Sequence, residues 1–122
     1  MKKILTLFFV LFSFESTAVE KKTTFDLDIF KEAQNSGKTV VVSSWNKYCG
    51  TCTQQTKILD QAKKEFPNII FLSYEQKYKN IADFLKIDYW ATIAVYKNNK
   101  KIKQEIGITN KQDIYSLINQ GV

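Results

Sequence analysis

The sequence predicts a three-layer α/β/α sandwich around a mixed sheet of about four strands, closed by a C-terminal hairpin. Three observations predict it. Helical and strand patterns alternate along nearly the whole chain, which places helices on both faces of a largely parallel or mixed sheet. The last two strand patterns are separated only by Asn98-Asn99, a two-residue turn. The four glycines and one proline fall between patterns rather than inside them.

The N-terminus reads as an address rather than as fold. Lys2 and Lys3 precede a mostly apolar run, Ile4 to Phe14, followed by Ser16-Thr17-Ala18. Charged head, short apolar centre and small-x-small exit make residues 1–18 a secretory signal peptide, cut after Ala18. Eleven helical residues would reach only about 17 Å, against a bilayer core of roughly 30 Å. Stable membrane insertion is therefore not expected once the signal is removed, and the expected location is periplasmic or secreted. Residues 19–24 read as a mobile lead-in and residues 25–122 as one domain.

From Phe25 a short helix is expected, with Leu27, Ile29, Phe30 and Ala33 on one broad face and Ser36-Gly37 as its stop. Thr39 to Trp45 is a β-branched run suited to a central strand. Ile58, Leu59, Ala62 and Phe66 recur at helical spacing before Pro67. Asn68 to Tyr74 is a second buried strand; Ile81, Phe84 and Leu85 mark another short helix; Thr92 to Tyr96 is a third strand. Lys101 to Ile106 returns as the fourth, with Ile102 and Ile106 on one face, and Gly107 ends it. Thr109 to Gln112 has the form of a capping box opening a last helix, with Ile114, Leu117 and Ile118 inward and Gly121 at its end. The expected order is α-β-α-β-α-β-β-α.

Composition excludes several chemistries. All 18 basic residues are lysine, and the chain has neither histidine nor arginine. That removes Ser-His-Asp and Cys-His catalysis, histidine metal ligation and bidentate arginine clamps. The net charge of +6 comes from lysines scattered among acids, which reads as a solvated surface and not as a nucleic-acid site. No cofactor or metal is implied.

The chemistry that remains lies in the only two cysteines, Cys49 and Cys52, with Gly50-Thr51 between them at a strand-to-helix junction. A cysteine at the mouth of a helix faces unpaired backbone N–H groups and the positive end of the macrodipole, both of which favour thiolate. Cys49, the outer one, is expected to be the nucleophile and Cys52, one turn further in, the resolving thiol. Two other readings stand beside this redox pair. A structural bridge is one, although so short a loop confers little stability. An intersubunit metal site is the other, since two thiolates leave a tetrahedral metal two ligands short.

Val40 to Cys52, with Trp45 and Cys49-Gly50-Thr51-Cys52, resembles the strand, tryptophan and active-site turn of the thioredoxin superfamily. Tyr48 stands where that family usually has a second tryptophan. Ile87 to Asn99 resembles the segment running through its cis-proline loop, and Gly107 the glycine after its last strand. The resemblance covers about residues 25–120. It implies a thiol-disulfide oxidoreductase acting on proteins, surrounded at its site by Trp45, Tyr48, Gly50 and Thr51. It also implies a substrate-docking loop at Trp90, Ala91 and Thr92, disulfide-containing client proteins, and a membrane or soluble thiol as electron donor. Reductase direction is preferred, because Gly50-Thr51 lacks the histidine of strongly oxidising relatives. The alternative is a non-catalytic binding module with a static bridge.

Three positions depart from the family pattern. Ser43 replaces the buried acid, Phe71 the lysine that accompanies it, and Ala91 the cis-proline. A cis bond costs a non-proline peptide about 2.5–4 kcal/mol, so Trp90–Ala91 is expected to be trans. The loop would then present its backbone less rigidly, and Ala91→Pro would be expected to favour protein disulfides over small ones. Lys47 and Lys57 are expected to be solvated.

Overall fold

Strand β1 (Val40–Trp45) shows why the sheet is covered on both sides. Side chains alternate along a strand, and over the first half of this one, Val40 to Val42, both sets are apolar. Val40 and Val42 join Phe30, Ala33, Ala82, Leu85, Ala94 and Tyr96 in one core, while Val41 joins Leu59, Ala62, Ile93, Val95, Ile114 and Leu117 in another. Each fully buried valine of this kind contributes about 1.5–3 kcal/mol. The computed structural model describes residues 21–122. The expected signal peptide, residues 1–18, lies outside the described residues.

The elements run α1 (Leu27–Asn35), β1, α2 (Gly50–Glu65), β2 (Ile70–Glu75), α3 (Lys79–Leu85), β3 (Thr92–Lys97), β4 (Lys100–Ile106) and α4 (Lys111–Asn119). The sheet order is β2-β1-β3-β4. β1 is parallel to β2 and antiparallel to β3, and β3 is antiparallel to β4. Residues of α1 and α3 supply the first core and residues of α2 and α4 the second. This is the expected α/β/α sandwich. Both residues of the hairpin turn take positive φ, 54° at Asn98 and 66° at Asn99, the conformation asparagine tolerates and such turns require.

Local differences have physical causes. Helix α1 starts at Leu27, because Asp26 caps it by accepting from the Ile29 N–H at 3.0 Å. Its buried stripe is Phe30, Ala33 and Gln34, whereas Leu27 and Ile29, expected to face inward, are exposed. The Gln34 amide donates to the Tyr96 carbonyl and its oxygen accepts from Asn99 N–H, so a polar residue takes an inward place by pairing with the hairpin. The last helix is capped by Asn110 and not by Thr109. Asn110 Oδ1 accepts from Asp113 N–H at 2.8 Å, and the Asp113 carboxylate lies in the first turn where the helix dipole favours it. Ile102 and Ile106 are both exposed, because β4 is an edge strand and neither core reaches them.

Residues 21–24 were expected as part of a loose lead-in; they are tied along the free side of β2. Thr24 N–H donates to Ser73 O, Ser73 N–H donates to Thr24 Oγ1, and Glu75 N–H donates to Thr23 Oγ1. The other end of the chain is held as closely. The Thr39 hydroxyl donates to the Gly121 carbonyl, and a Cβ added at Gly121 would lie 2.5 Å from Val95 Cγ1 and 2.8 Å from Thr39 Cγ2. Gly121→Ala is therefore expected to cost about 1–3 kcal/mol through overpacking. A urea midpoint that drops at constant m-value checks this; an unchanged midpoint contradicts it.

Candidate active site

The β1–α2 connection is built by its own sequence. Asn46 forms an Asx turn in which its Oδ1 accepts from Tyr48 N–H at 2.9 Å, and its carbonyl accepts from Cys49 N–H at 3.0 Å. This turn delivers Cys49 to the N-cap of α2. The Cys49 sulfur takes the place of a capping oxygen, accepting from Cys52 N–H at 3.0 Å. The two cysteines are joined in a disulfide, with Cα atoms 5.3 Å apart.

The pair is asymmetric. Cys49 is 8% exposed and borders a groove of about 550 Å³; Cys52 is 1% exposed, does not line that groove, and lies with its sulfur 3.9 Å from the Ser44 carbonyl oxygen. Cys49, Thr51, Tyr89, Trp90, Ala91 and Ile106 line the groove. Trp45, Cys49, Cys52 and Ala91 form a small buried cluster of their own. Trp45 lies within it, its indole N–H donating to the Lys22 carbonyl at 3.1 Å. Tyr48 is the opposite case at 84% exposed, with the Lys47 ammonium 5.2 Å from its ring centre. Trp90 is half-exposed at the groove, and Lys57 is exposed. A Cβ at Gly50 would meet nothing within 4 Å, so this glycine fills no tight spot within the chain and leaves open space beside Cys49.

Ser43 lines a separate cavity of about 100 Å³ behind the site with Trp45, Thr56, Asp60 and Phe71. The carboxylate in that cavity's wall is Asp60, which is half-exposed and paired with Lys63 at 3.2 Å. Among the described residues, no group of three or more His, Cys, Asp or Glu side chains is placed to hold a metal.

The Trp90–Ala91 bond is trans, as expected, since no peptide bond among the described residues is cis. What was not expected is the conformation, for Ala91 takes a left-handed φ of 59°. Nor is the loop loose. Ala91 N–H donates to Ser44 O at 2.9 Å, and Ala91 O accepts from Gly107 N–H at 2.9 Å and from Gln55 Nε2 at 3.0 Å. The hydroxyls of Ser44 and Thr92 both donate to Tyr89 O, at 2.8 and 2.7 Å. On the far side Gln76 Nε2 donates to Ile87 O at 3.0 Å, while its oxygen accepts from the Tyr74 hydroxyl at 2.7 Å. Burial drives the Tyr74 hydroxyl pKa well above its ordinary value, so this phenol stays a donor.

Two residues here escaped the sequence reading. Gln55 is one. Lys21 is the other: its ammonium donates to the carbonyls of Asn46, Lys47 and Cys49 at 3.0, 3.4 and 3.2 Å, bracing the loop that carries Cys49.

The thioredoxin family model matches residues 16–120. The chain belongs to the thioredoxin family. It is similar to a thioredoxin of Coprinus comatus, with 28% identity over 100 residues that cover 80% of this chain and 93% of the relative. A Rickettsia felis thioredoxin is 27% identical, covering 80% and 94%. Among solved structures, the fold is shared with Trxlp from Edwardsiella tarda (TM-score 0.72, 18% identity, covering 77% of this chain and 94% of that one). It is shared also with Fasciola hepatica thioredoxin (TM-score 0.68, 20% identity, covering 78% and 92%). With the Cys49–Cys52 pair in place, this thioredoxin-family chain is a thiol-disulfide oxidoreductase, and the family implies disulfide-containing proteins as substrates.

Proposed function

We propose that this protein reduces disulfides of exported client proteins, with Cys49 attacking and Cys52 resolving. The observation that carries the reading is the Cys49 sulfur at the α2 N-cap, bordering the aromatic-edged groove. In the reduced enzyme the Cys52 N–H and the helix dipole favour the Cys49 thiolate. That thiolate attacks one sulfur of the client disulfide, forming a mixed disulfide and expelling a client thiolate. Cys52, as thiolate, then attacks the Cys49 sulfur, which expels the second client thiolate and closes the Cys49–Cys52 bond. Two electrons pass to the client, and a dithiol donor must restore the pair.

The Tyr89–Thr92 loop is the docking edge in this reading. None of the described hydrogen bonds uses the N–H or C=O of Trp90, so both remain for an extended client strand lying in the groove, as in strand-addition recognition. Export rests on the composition of residues 1–18. Among the described residues no helix is long and apolar enough to cross a membrane.

Insulin reduction with a dithiol donor tests the core of this proposal. The wild type is expected to be active and Cys49→Ser to fall to background. The reduction potential of the pair is expected nearer the about −270 mV of thioredoxin than the about −120 mV of a strong oxidant. An inactive wild type with a fully reducible pair would leave the binding-module alternative instead. N-terminal sequencing of the exported protein is expected to begin at Val19; retention of Met1 in a membrane fraction contradicts export with cleavage.

A further inference from the structure

Gln55 is a long polar side chain that is only 1% exposed, and a buried amide persists where its hydrogen bonds are made. Both bonds of its Nε2 go to backbone carbonyls at 3.0 Å, one on Ala91 and one on Ile108. These carbonyls belong to two different connections, the loop entering β3 and the segment between β4 and α4. Gln55 lies three residues after Cys52 on α2, so it shares that cysteine's side of the helix. One amide therefore links the helix that carries the redox pair to the loop that edges the groove.

The other anchor of the loop is Ser44 on β1. Its hydroxyl donates to Tyr89 O and accepts from Thr92 N–H at 3.3 Å, and its carbonyl accepts from Ala91 N–H. Trp90 is thus bracketed: the backbone groups on either side of it are fixed, while its own make none of the described hydrogen bonds and the residue lines the groove. Ala91 carries no ring to stiffen this turn and adopts positive φ, which an alanine does not hold on its own. The stiffening comes from side chains reaching in from α2 and β1, together with the Gly107 N–H on the Ala91 carbonyl and the Thr92 hydroxyl on Tyr89 O.

We propose that Gln55 is a positioning residue for client docking, holding the Ala91 carbonyl so that the Trp90 backbone stays aligned with Cys49. The inference rests on the reading of the Trp90 loop as the docking edge. The described hydrogen bonds of Gln55 go to carbonyls and not to either sulfur, so the intrinsic reactivity of Cys49 does not depend on them. What depends on it is the register of a client strand relative to the attacking sulfur, and a small disulfide has no strand to align.

The test compares kcat/KM for insulin with kcat/KM for a small aromatic disulfide, using the whole mature chain and the same dithiol donor. Gln55→Leu removes both donors at similar volume. It is expected to lower the insulin-to-small-disulfide ratio about five- to tenfold, the loss of about one buried hydrogen bond's alignment, mainly through KM. The alkylation rate of reduced Cys49 near neutral pH is expected to stay within about twofold, since the N-cap bond that favours its thiolate is untouched. Gln55→Met carries the same expectation and serves if the leucine variant does not fold. A purely structural role predicts a lower melting temperature with the ratio unchanged, and that result overturns the proposal. Trp90→Gly separates the two readings. If Trp90→Gly and Ser44→Ala both leave the ratio unchanged, the docking-edge reading itself fails. If they lower it and neither Gln55 variant does, docking stands and the role of Gln55 falls.

Discussion

Cys52→Ala is expected to convert the catalyst into a trap. Cys49 lines the groove, whereas Cys52 does not and lies buried with its sulfur near Ser44 O, so Cys49 is the one expected to meet a client first. Without the second thiol the client remains bound through Cys49, and release waits for an external thiol. Intramolecular attack by a well-placed group is worth effective molarities of about 10⁵ M or more, so turnover at millimolar donor is expected to fall about a thousandfold or further. Non-reducing electrophoresis and intact mass after acid quench should show client adducts with Cys52→Ala. They should show none with Cys49→Ala, in which the surviving thiol has almost no exposed surface. Equal adduct yields from the two variants would reverse the assignment of nucleophile and resolver.

How far the sequence carried this site depends on the range of each interaction. Valine alternation in β1, the Asn98-Asn99 turn and the cysteine spacing are local signals, and they led directly to the sheet, the hairpin and the redox pair. Errors arose where a polar residue competed with an apolar one for an inward position. In α1 the pattern counted Leu27 and Ile29 and passed over Gln34, which is buried because the hairpin meets its amide. Gln55 was missed for the same reason, although a signal existed. Cys52, Gln55, Leu59 and Ala62 recur at helical spacing and are the buried stripe of α2. A glutamine on such a stripe marks a backbone carbonyl waiting on the other side. Lys21 had no such signal: its three acceptors lie 25 to 28 residues away, and nothing in the surrounding polar stretch sets it apart from its neighbours.

Ala91 is where resemblance and geometry lead to opposite experiments. The family pattern suggests restoring proline, with a gain in protein-disulfide reduction. Proline, however, fixes φ near −65° and has no N–H, whereas Ala91 sits at φ 59° and donates to Ser44 O. Ala91→Pro must therefore break that bond and rebuild the turn, pulling the Ala91 carbonyl away from Gln55 and Gly107. The lost hydrogen bond alone is expected to cost about 1–3 kcal/mol, with the incompatible φ adding to it, which for a domain of this size lowers the melting temperature by roughly 4 °C or more. Docking should suffer with it, so the insulin-to-small-disulfide ratio should fall instead of rising. Ala91→Gly is the contrasting change. Glycine holds positive φ without the Cβ clash that costs alanine about 1–2 kcal/mol, and its freer unfolded chain takes back about 0.4–1. Its stability should consequently lie within about 1 kcal/mol of wild type, with every backbone bond of the loop retained. Thermal melts of the two variants decide the matter: a proline variant as stable as the wild type, or a glycine variant as damaged as the proline one, means that the left-handed turn at Ala91 is not what holds the docking edge in place.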